Sequence, residues 1–232
     1  MTELWQALVQ AVRLIVSLDP EVIEISLRSL YVSAAAILIA ALFCIPAGGL
    51  IHFHEFKGKK VLINIIQTFY SIPTVVVGLF VFLFISRAGP LGGLELLFTP
   101  AAIIIGQVIL ILPVLTGMTI SALSGVDKSI KDTALSMGAT GSQAIRTIIS
   151  EARFAVVGAL ILGFGRAISE VGAAMMLGGN IRGYTRVLTT ATVMETSRGN
   201  FDIAIALGII LLALCFIINA FLTHVQQRER PR

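Results

Sequence analysis

Residues Asp127 to Arg153, DKSIKDTALSMGATGSQAIRTIISEAR, decide how the rest of this chain is read. The stretch carries Asp127, Lys128, Lys131, Asp132, Arg146, Glu151 and Arg153, so no bilayer core could hold it, yet strongly apolar blocks precede and follow it. Its first half predicts a short helix, with Ile130, Ala134 and Met137 on one face at spacings of four and three and Asp127 or Ser129 as the cap at its start. Gly138 and Gly141 interrupt that pattern and allow a sharp bend or a close backbone approach. From Ser142 the helical pattern resumes through Ala144, Ile145, Ile148 and Ile149 toward the next apolar block.

Two amphipathic helices joined by glycine are common in soluble proteins. Hung between two membrane spans, an exposed helix has no core of its own, and its economical reading is a docking element for another subunit. A solvated connecting loop is the alternative.

The run Asp132-Thr133-Ala134, three residues, Gly138, nine residues and Ile148 resembles the EAA loop of type I ABC-importer permeases. The pattern of that loop is Glu-Ala-Ala, three residues, Gly, nine residues, Ile-x-Leu-Pro. Asp132 stands where the family has Glu, Thr133 where it has the first Ala, and Ser150-Glu151 where it has Leu-Pro. The resemblance implies a coupling helix seated in a groove of an ATP-hydrolysing partner, with Asp132, Thr133, Ala134, Met137, Gly138 and Ile148 as the coupling residues. A second motif, Gly165-Arg166-Ala167-Ile168-Ser169-Glu170-Val171-Gly172-Ala173, is followed by Met175-Met176, Gly178-Gly179-Asn180-Ile181 and Thr189-Thr190-Ala191. It is similar to permeases of tungstate importers, and molybdate and sulfate permeases share a looser form.

Composition agrees with a membrane protein. Mean hydropathy is +0.95 and 13% of the 232 residues are charged, where a soluble domain carries about a quarter. The apolar blocks reach the roughly 20 residues a spanning helix needs, and the alternation of an outer-membrane barrel is missing. A net charge of +4 and a pI near 9.4 would suggest nucleic acid in a soluble protein; here Lys and Arg gather in connecting loops, so no nucleic-acid partner is expected. No cleavable signal sequence is expected at the start. Cys44 and Cys215 lie in apolar blocks and read as buried thiols. Lys59-Lys60 lacks the glycine-rich loop of a phosphate-binding lysine, so ATP and its Mg belong to another chain, and neither a catalytic residue, a metal nor a cofactor is assigned here.

The fold class expected is all-α and polytopic, the type I ABC-importer permease fold. It has about five spans, an amphipathic N-terminal helix and a cytoplasmic coupling helix in one domain over 1–232, with the amphipathic helix at 1–18 and the coupling loop at 124–153. In the first segment Leu4, Trp5, Leu8, Val9, Val12, Ile15 and Val16 face one side, which suits a helix lying along the membrane surface or packed outside the bundle; Asp19-Pro20 ends it. The spans are expected near 29–51, 61–85, 100–123, 154–177 and 201–224. His52 and His54, two apart with no third ligand nearby, read as a solvated loop rather than a zinc site.

Polar residues within the spans are the candidate translocation path. Asn64, Gln67 and Ser71 share a face in the second span, which Pro73 interrupts; Gln107 lies in the third, where Pro113 suggests a kink. Such residues turn toward protein or water, and they serve either interhelical hydrogen bonding or a pathway wall. Arg166 and Glu170, four apart in the fourth span, are expected either to pair with each other or to meet a passing oxyanion. The segment 178–200 sets Arg182, Arg186 and Arg198 against Glu195 alone, an excess that would draw an anion toward the entrance or dock an external partner.

With the docking loop inside, ten Lys and Arg residues fall on the inner side against six outside, which favours an external amino terminus and a cytoplasmic carboxyl terminus; the resemblance implies a bacterial or archaeal inner membrane. The resemblance implies as partners two ABC ATPase subunits, an extracytoplasmic substrate-binding protein, a second copy of the chain and membrane lipid. It implies tungstate as cargo, with molybdate and sulfate as alternatives. A stand-alone ion-coupled transporter or channel is the rival of another class, to be marked by broken helices in matching halves; a non-transporting scaffold leaves the polar stripes without a purpose.

Overall fold

The computed structural model describes residues 19–228 continuously and, before them, 5–6, 8–9, 12–13 and 16–17. Helices account for all the regular structure among the described residues. The amphipathic segment 1–18 lies largely outside them, as does the end of the basic tail, 229–232.

The first long helix, α1 (Pro20–Phe53), starts sharply because Asp19 accepts hydrogen bonds from the Glu21 and Val22 amides and Pro20 occupies the first turn, where its missing N–H costs nothing. Its 34 residues extend about 51 Å, so it outreaches a hydrocarbon core of about 30 Å. It buries a stripe of small residues, Ser29, Ser33, Ala36, Ala40, Cys44 and Gly48, at the spacing that lets two helix backbones approach closely. The helix it approaches is α4 (Pro100–Ser124): a Cβ on Gly48 would stand 2.8 Å from Thr119 Cβ. Ile111, Leu115, Ala159, Phe164 and Ala167 close the core around Ala36 and Ala40.

Between these two helices the chain is broken. α2 (Lys59–Thr68), a 3₁₀ turn (Phe69–Ser71) and α3 (Thr74–Ile85) form one interrupted span bent by 98°, because Pro73 cannot donate into a continuing helix and holds Ile72 extended. After α4 come the short polar α5 (Lys128–Ser136) and the long α6 (Gly141–Ile168). The fourth span, expected to be continuous over 154–177, is also interrupted: α6 ends at Ile168, the chain turns through Ser169 to Val171, and α7 (Gly172–Gly178) completes it. α8 (Leu188–Ser197) and α9 (Phe201–Arg228) finish the described chain.

Among the described residues four helices are long and apolar enough to cross a membrane, α1, α4, α6 and residues 201–221 of α9, and the bent pair α2–α3 makes up to five. α4 runs on through Pro113 as one 25-residue helix. The flanks of the bundle are apolar and open: Leu38 and Leu42 of α1 are each 70% exposed, and Leu212 and Phe216 of α9 are 71% and 75%. Water does not tolerate such a belt on a monomer; lipid does.

The two interruptions adjoin. A Cβ on Gly172, at the start of α7, would lie 2.8 Å from Val75 Cγ2 and 3.3 Å from Thr74 Oγ1, at the start of α3. Both half-helices run from that junction toward the same end of the bundle, where the Phe98 amide donates to Leu177 O at 2.8 Å. α5 lies at the opposite end.

Candidate functional site: a polar helix at one end and a broken span in the middle

α5 is built from local signals. Asp127 caps it by accepting from the Ser129 amide at 2.8 Å, and that hydrogen bond holds its carboxyl below the usual carboxylate value. Met137 ends it, and Gly138 then takes φ +88° with nothing within 4 Å of where a Cβ would stand. That left-handed conformation strains any L side chain, so glycine here serves the backbone turn and not a tight fit. Thr140 and Gln143 form a reciprocal capping box that starts α6 two residues later.

Nothing in α5 is buried. Ile130 and Ala134 are half-buried toward α6, as their spacing suggests, but Met137 is 84% exposed and does not share their packed face, because the helix has already ended there. Leu135, 42% exposed, stands out as well. Asp132 and Thr133 are exposed, and Ile148 is buried with Leu123 and Ala152 under the root of α6. A cavity of about 560 Å³ separates α5 from the α1–α2 loop, lined among others by His52, Lys59, Ser124, Lys128, Lys131 and Asp132. His52 and His54 do not converge: His52 Nδ1 is 3.2 Å from Ser124 Oγ, while His54 Nδ1 meets Leu50 O at 3.1 Å.

The intramembrane residues separate into two groups. Asn64, Gln67 and Ser71 are exposed on α2 and its 3₁₀ extension. Gln107 is 4% exposed and donates from Nε2 to Ala167 O at 3.0 Å, leaving its Oε1 buried without a partner among the described residues.

Arg166 and Glu170 do not form an ion pair. Four-residue spacing places two side chains together only while the helix continues, and α6 stops at Ile168. Glu170, 7% exposed, turns instead to the start of α7 and accepts from the Ala173 amide at 2.9 Å. Arg166 is half-buried, its Nε enclosed without a partner among the described residues.

The second motif is mostly architecture. Thr189 Oγ1 donates to Glu170 O at 2.9 Å, Thr190 Oγ1 to Asn180 Oδ1 at 2.9 Å, and Thr185 Oγ1 to Gly178 O. Gly179 and Asn180 both take positive φ, +67° and +50°, in the turn these hydroxyls pin. The arginines of this segment are also accounted for. Glu21, more than 160 residues earlier, pairs with Arg182 and with Arg186 at 3.2 Å, and Arg198 pairs with Glu195 at 3.2 Å. The excess of positive charge expected over 178–200 is therefore reduced from two to one, by an acidic residue on another helix that no local count includes.

Solved structures of ABC transporters share the fold of this apolar bundle. The inward-facing MetNI methionine ABC transporter superposes with a TM-score of 0.72 over 88% of this chain and 94% of that chain at 17% identity. A bacterial alginate ABC transporter in complex with alginate-bound periplasmic protein gives 0.70 over 89% and 78% at 22% identity. The chain belongs to the family of binding-protein-dependent transport system inner membrane components, whose model matches residues 44–231. It is 43% identical to a probable anion ABC transporter permease of Haloferax volcanii, over 90% of this chain and 93% of that one. Identity is 41% to the tungstate uptake permease TupB of Peptoclostridium acidaminophilum, over 94% and 95%, and 28% to the molybdenum permease ModB of Escherichia coli, over 92% and 98%.

Proposed function

We propose that this chain is the membrane-spanning subunit of an ATP-driven oxyanion importer, working as a homodimer, with tungstate as its cargo and molybdate or sulfate as the alternatives. The observation that carries the proposal is α5: a capped helix with no buried residue, held between two spans and ending in an exposed Met137 and a left-handed Gly138. Such an element contributes nothing to the bundle's own core and suits a groove on another subunit. The substrate class comes from similarity to the tungstate and anion permeases at 41% and 43% identity.

In this proposal α5 faces the cytoplasm, the amino terminus lies outside and the carboxyl terminus inside. Asp132, Thr133, Ala134, Met137 and Gly138 meet an ATPase subunit, one per permease copy, and Ile148 anchors the far side of the bend. ATP and Mg stay in that partner; this chain does no hydrolysis. Closure of the two ATPase subunits moves α5, and α6, joined to it through the Gly138 turn, carries the motion into the bundle. The path then opens to a loaded external binding protein and resets after hydrolysis. A ligand shifts such an equilibrium only by its different affinity for the two states, so a path that holds its cargo weakly leaves selection to the binding protein.

Five spans make a thin wall, and a second copy related by twofold symmetry completes the enclosure. The exposed polar stripe Asn64, Gln67 and Ser71 suits that inner face, since polar groups at membrane depth avoid lipid. The test is reconstitution of permease, ATPase subunit and binding protein in proteoliposomes, with uptake of labelled tungstate, molybdate and sulfate measured with and without ATP. ATP-dependent uptake strongest for tungstate is expected; absence of ATP-dependent uptake for all three anions would remove the proposal.

A further inference from the structure

Charges are scarce in the membrane-spanning part of this chain. α3 and α4 carry none. Glu21, Glu24 and Arg28, near the start of α1, are all ion-paired. Arg166 differs. It is 13 residues beyond Arg153 on α6, about 20 Å along the helix axis, and no charged residue lies between them.

Its position on the helix fixes which way it faces. Ala159, Gly163 and Ala167, each four apart, form the packed side: Ala159 and Ala167 are 1% and 2% exposed, and a Cβ on Gly163 would strike Ile37 Cδ1 at 2.6 Å. Arg166 borders that packed side, about 60° around the helix from Gly163, half-buried between it and the open strip of Leu162, 58% exposed, and Ser169, exposed at the helix end. No carboxylate among the described residues forms a salt bridge with it, and its Nε has no acceptor. The one acid close in sequence, Glu170, is held by the Ala173 amide.

An unpaired guanidinium at this depth cannot face hydrocarbon; it requires water or an anion. Its planar fork matches two oxygens of a tetrahedral oxyanion. We propose that Arg166 is the intramembrane cation over which the imported oxyanion passes, one from each copy of the chain. The break after Ile168 makes this possible, because it removes Glu170 from the helix face on which it would have neutralised Arg166. Leu162 and Ser169, uncharged neighbours on the same face, add no second fixed charge, so the contact assists passage without trapping the cargo. The proposal takes oxyanion import as given.

The experiment separates charge from structure within an already assembled complex. With Cys44 and Cys215 replaced by alanine, Arg166→Cys is purified with its ATPase subunit, whose co-purification reports assembly. The complex is then reconstituted with binding protein and assayed for ATP-driven tungstate uptake. Uptake at least tenfold below the arginine-containing parent is expected. Modification of the thiol with an aminoethyl methanethiosulfonate, which restores a cation, should recover at least a third of it, while the sulfonatoethyl reagent should not. Arg166→Gln/Glu170→Gln should remain as low as Arg166→Gln alone. Three results would overturn the inference: uptake within twofold of the parent in Arg166→Gln, equal recovery or none with the two reagents, or recovery in the double variant, which would make Arg166 the partner of Glu170. A parent complex that imports no oxyanion refutes the import function itself and removes the ligand on which the inference depends.

Discussion

The Ala173 amide donates to the Glu170 carboxylate at 2.9 Å across the break between α6 and α7. This makes Glu170 a cap for the second half of an interrupted span. Capping residues are worth about 0.5–2 kcal/mol, and for a chain of this size that is roughly 1–8 °C of apparent Tm. Glu170→Gln keeps an acceptor and should stay near wild type, whereas Glu170→Ala should lose those degrees. Thermal unfolding in detergent checks both. Equal loss in the two variants would show that charge, and not the cap, is what the site needs.

Tyr70 and Gly117 fit together closely. A Cβ on Gly117 would stand 1.7 Å from the Tyr70 hydroxyl oxygen and 2.7 Å from its Cζ. Gly117→Ala should therefore displace the ring that follows α2 and cost about 1–3 kcal/mol. Tyr70→Ala in the same chain should recover part of that loss, with a coupling of about 0.5–3 kcal/mol in a double-mutant cycle. Strict additivity of the two substitutions would place the ring elsewhere.

How much of this was legible in the sequence depends on the range of the signal. α5, its Asp127 cap and the turn at Gly138 are written in neighbouring residues and could be read directly. Pro73 announces the first interruption. The second has no proline: Ser169-Glu170-Val171 looks helical, and only the capping contact to Ala173 reveals that the helix restarts. The pairing of Arg182 and Arg186 with Glu21 was beyond reach, since it joins the start of α1 to a loop more than 160 residues later. The small-residue stripe from Ser29 to Gly48, which locates the face of α1 that meets α4, went unread although its spacing of three and four is a helical period.

Asp127 gives α5 a dependence on pH. Its carboxyl is held below its ordinary value of 3.8 by the hydrogen bond from the Ser129 amide. A depressed folded-state value means that the cap's contribution is fully present above the ordinary value and is lost as pH falls through the depressed one. Amide exchange over 128–136 should thus show no extra opening between neutral pH and about pH 5. Asp127→Ala should exchange faster throughout that range, and Asp127→Asn, which still accepts a hydrogen bond, should follow wild type. A wild-type α5 that loosens above pH 5 would mean another group controls it.

Gly138 separates backbone strain from bulk. With φ +88° and no atom of the described residues within 4 Å of where a Cβ would stand, the cost of substitution is conformational, on the order of 1–3 kcal/mol for a residue forced into that region. Gly138→Val should abolish ATP-driven uptake while the protein still inserts and folds. Gly138→Asn, from a residue type that tolerates left-handed backbone, should retain a substantial fraction. Uptake rates of the two variants, normalised to membrane content, give the comparison; indistinguishable rates would exclude the turn as the element that transmits motion.

Met137 is the most exposed large apolar residue described in this chain, at 84%, and it marks the tip of α5. In a background with Cys44 and Cys215 replaced, Met137→Cys is treated with a membrane-impermeant maleimide in intact cells and in inverted membrane vesicles, each with and without the ATPase subunit. Labelling in inverted vesicles alone, suppressed when the ATPase subunit is present, is the result expected if energy enters this protein through α5. Labelling from the outside of intact cells, or reactivity in inverted vesicles that the ATPase subunit leaves unchanged, would contradict it.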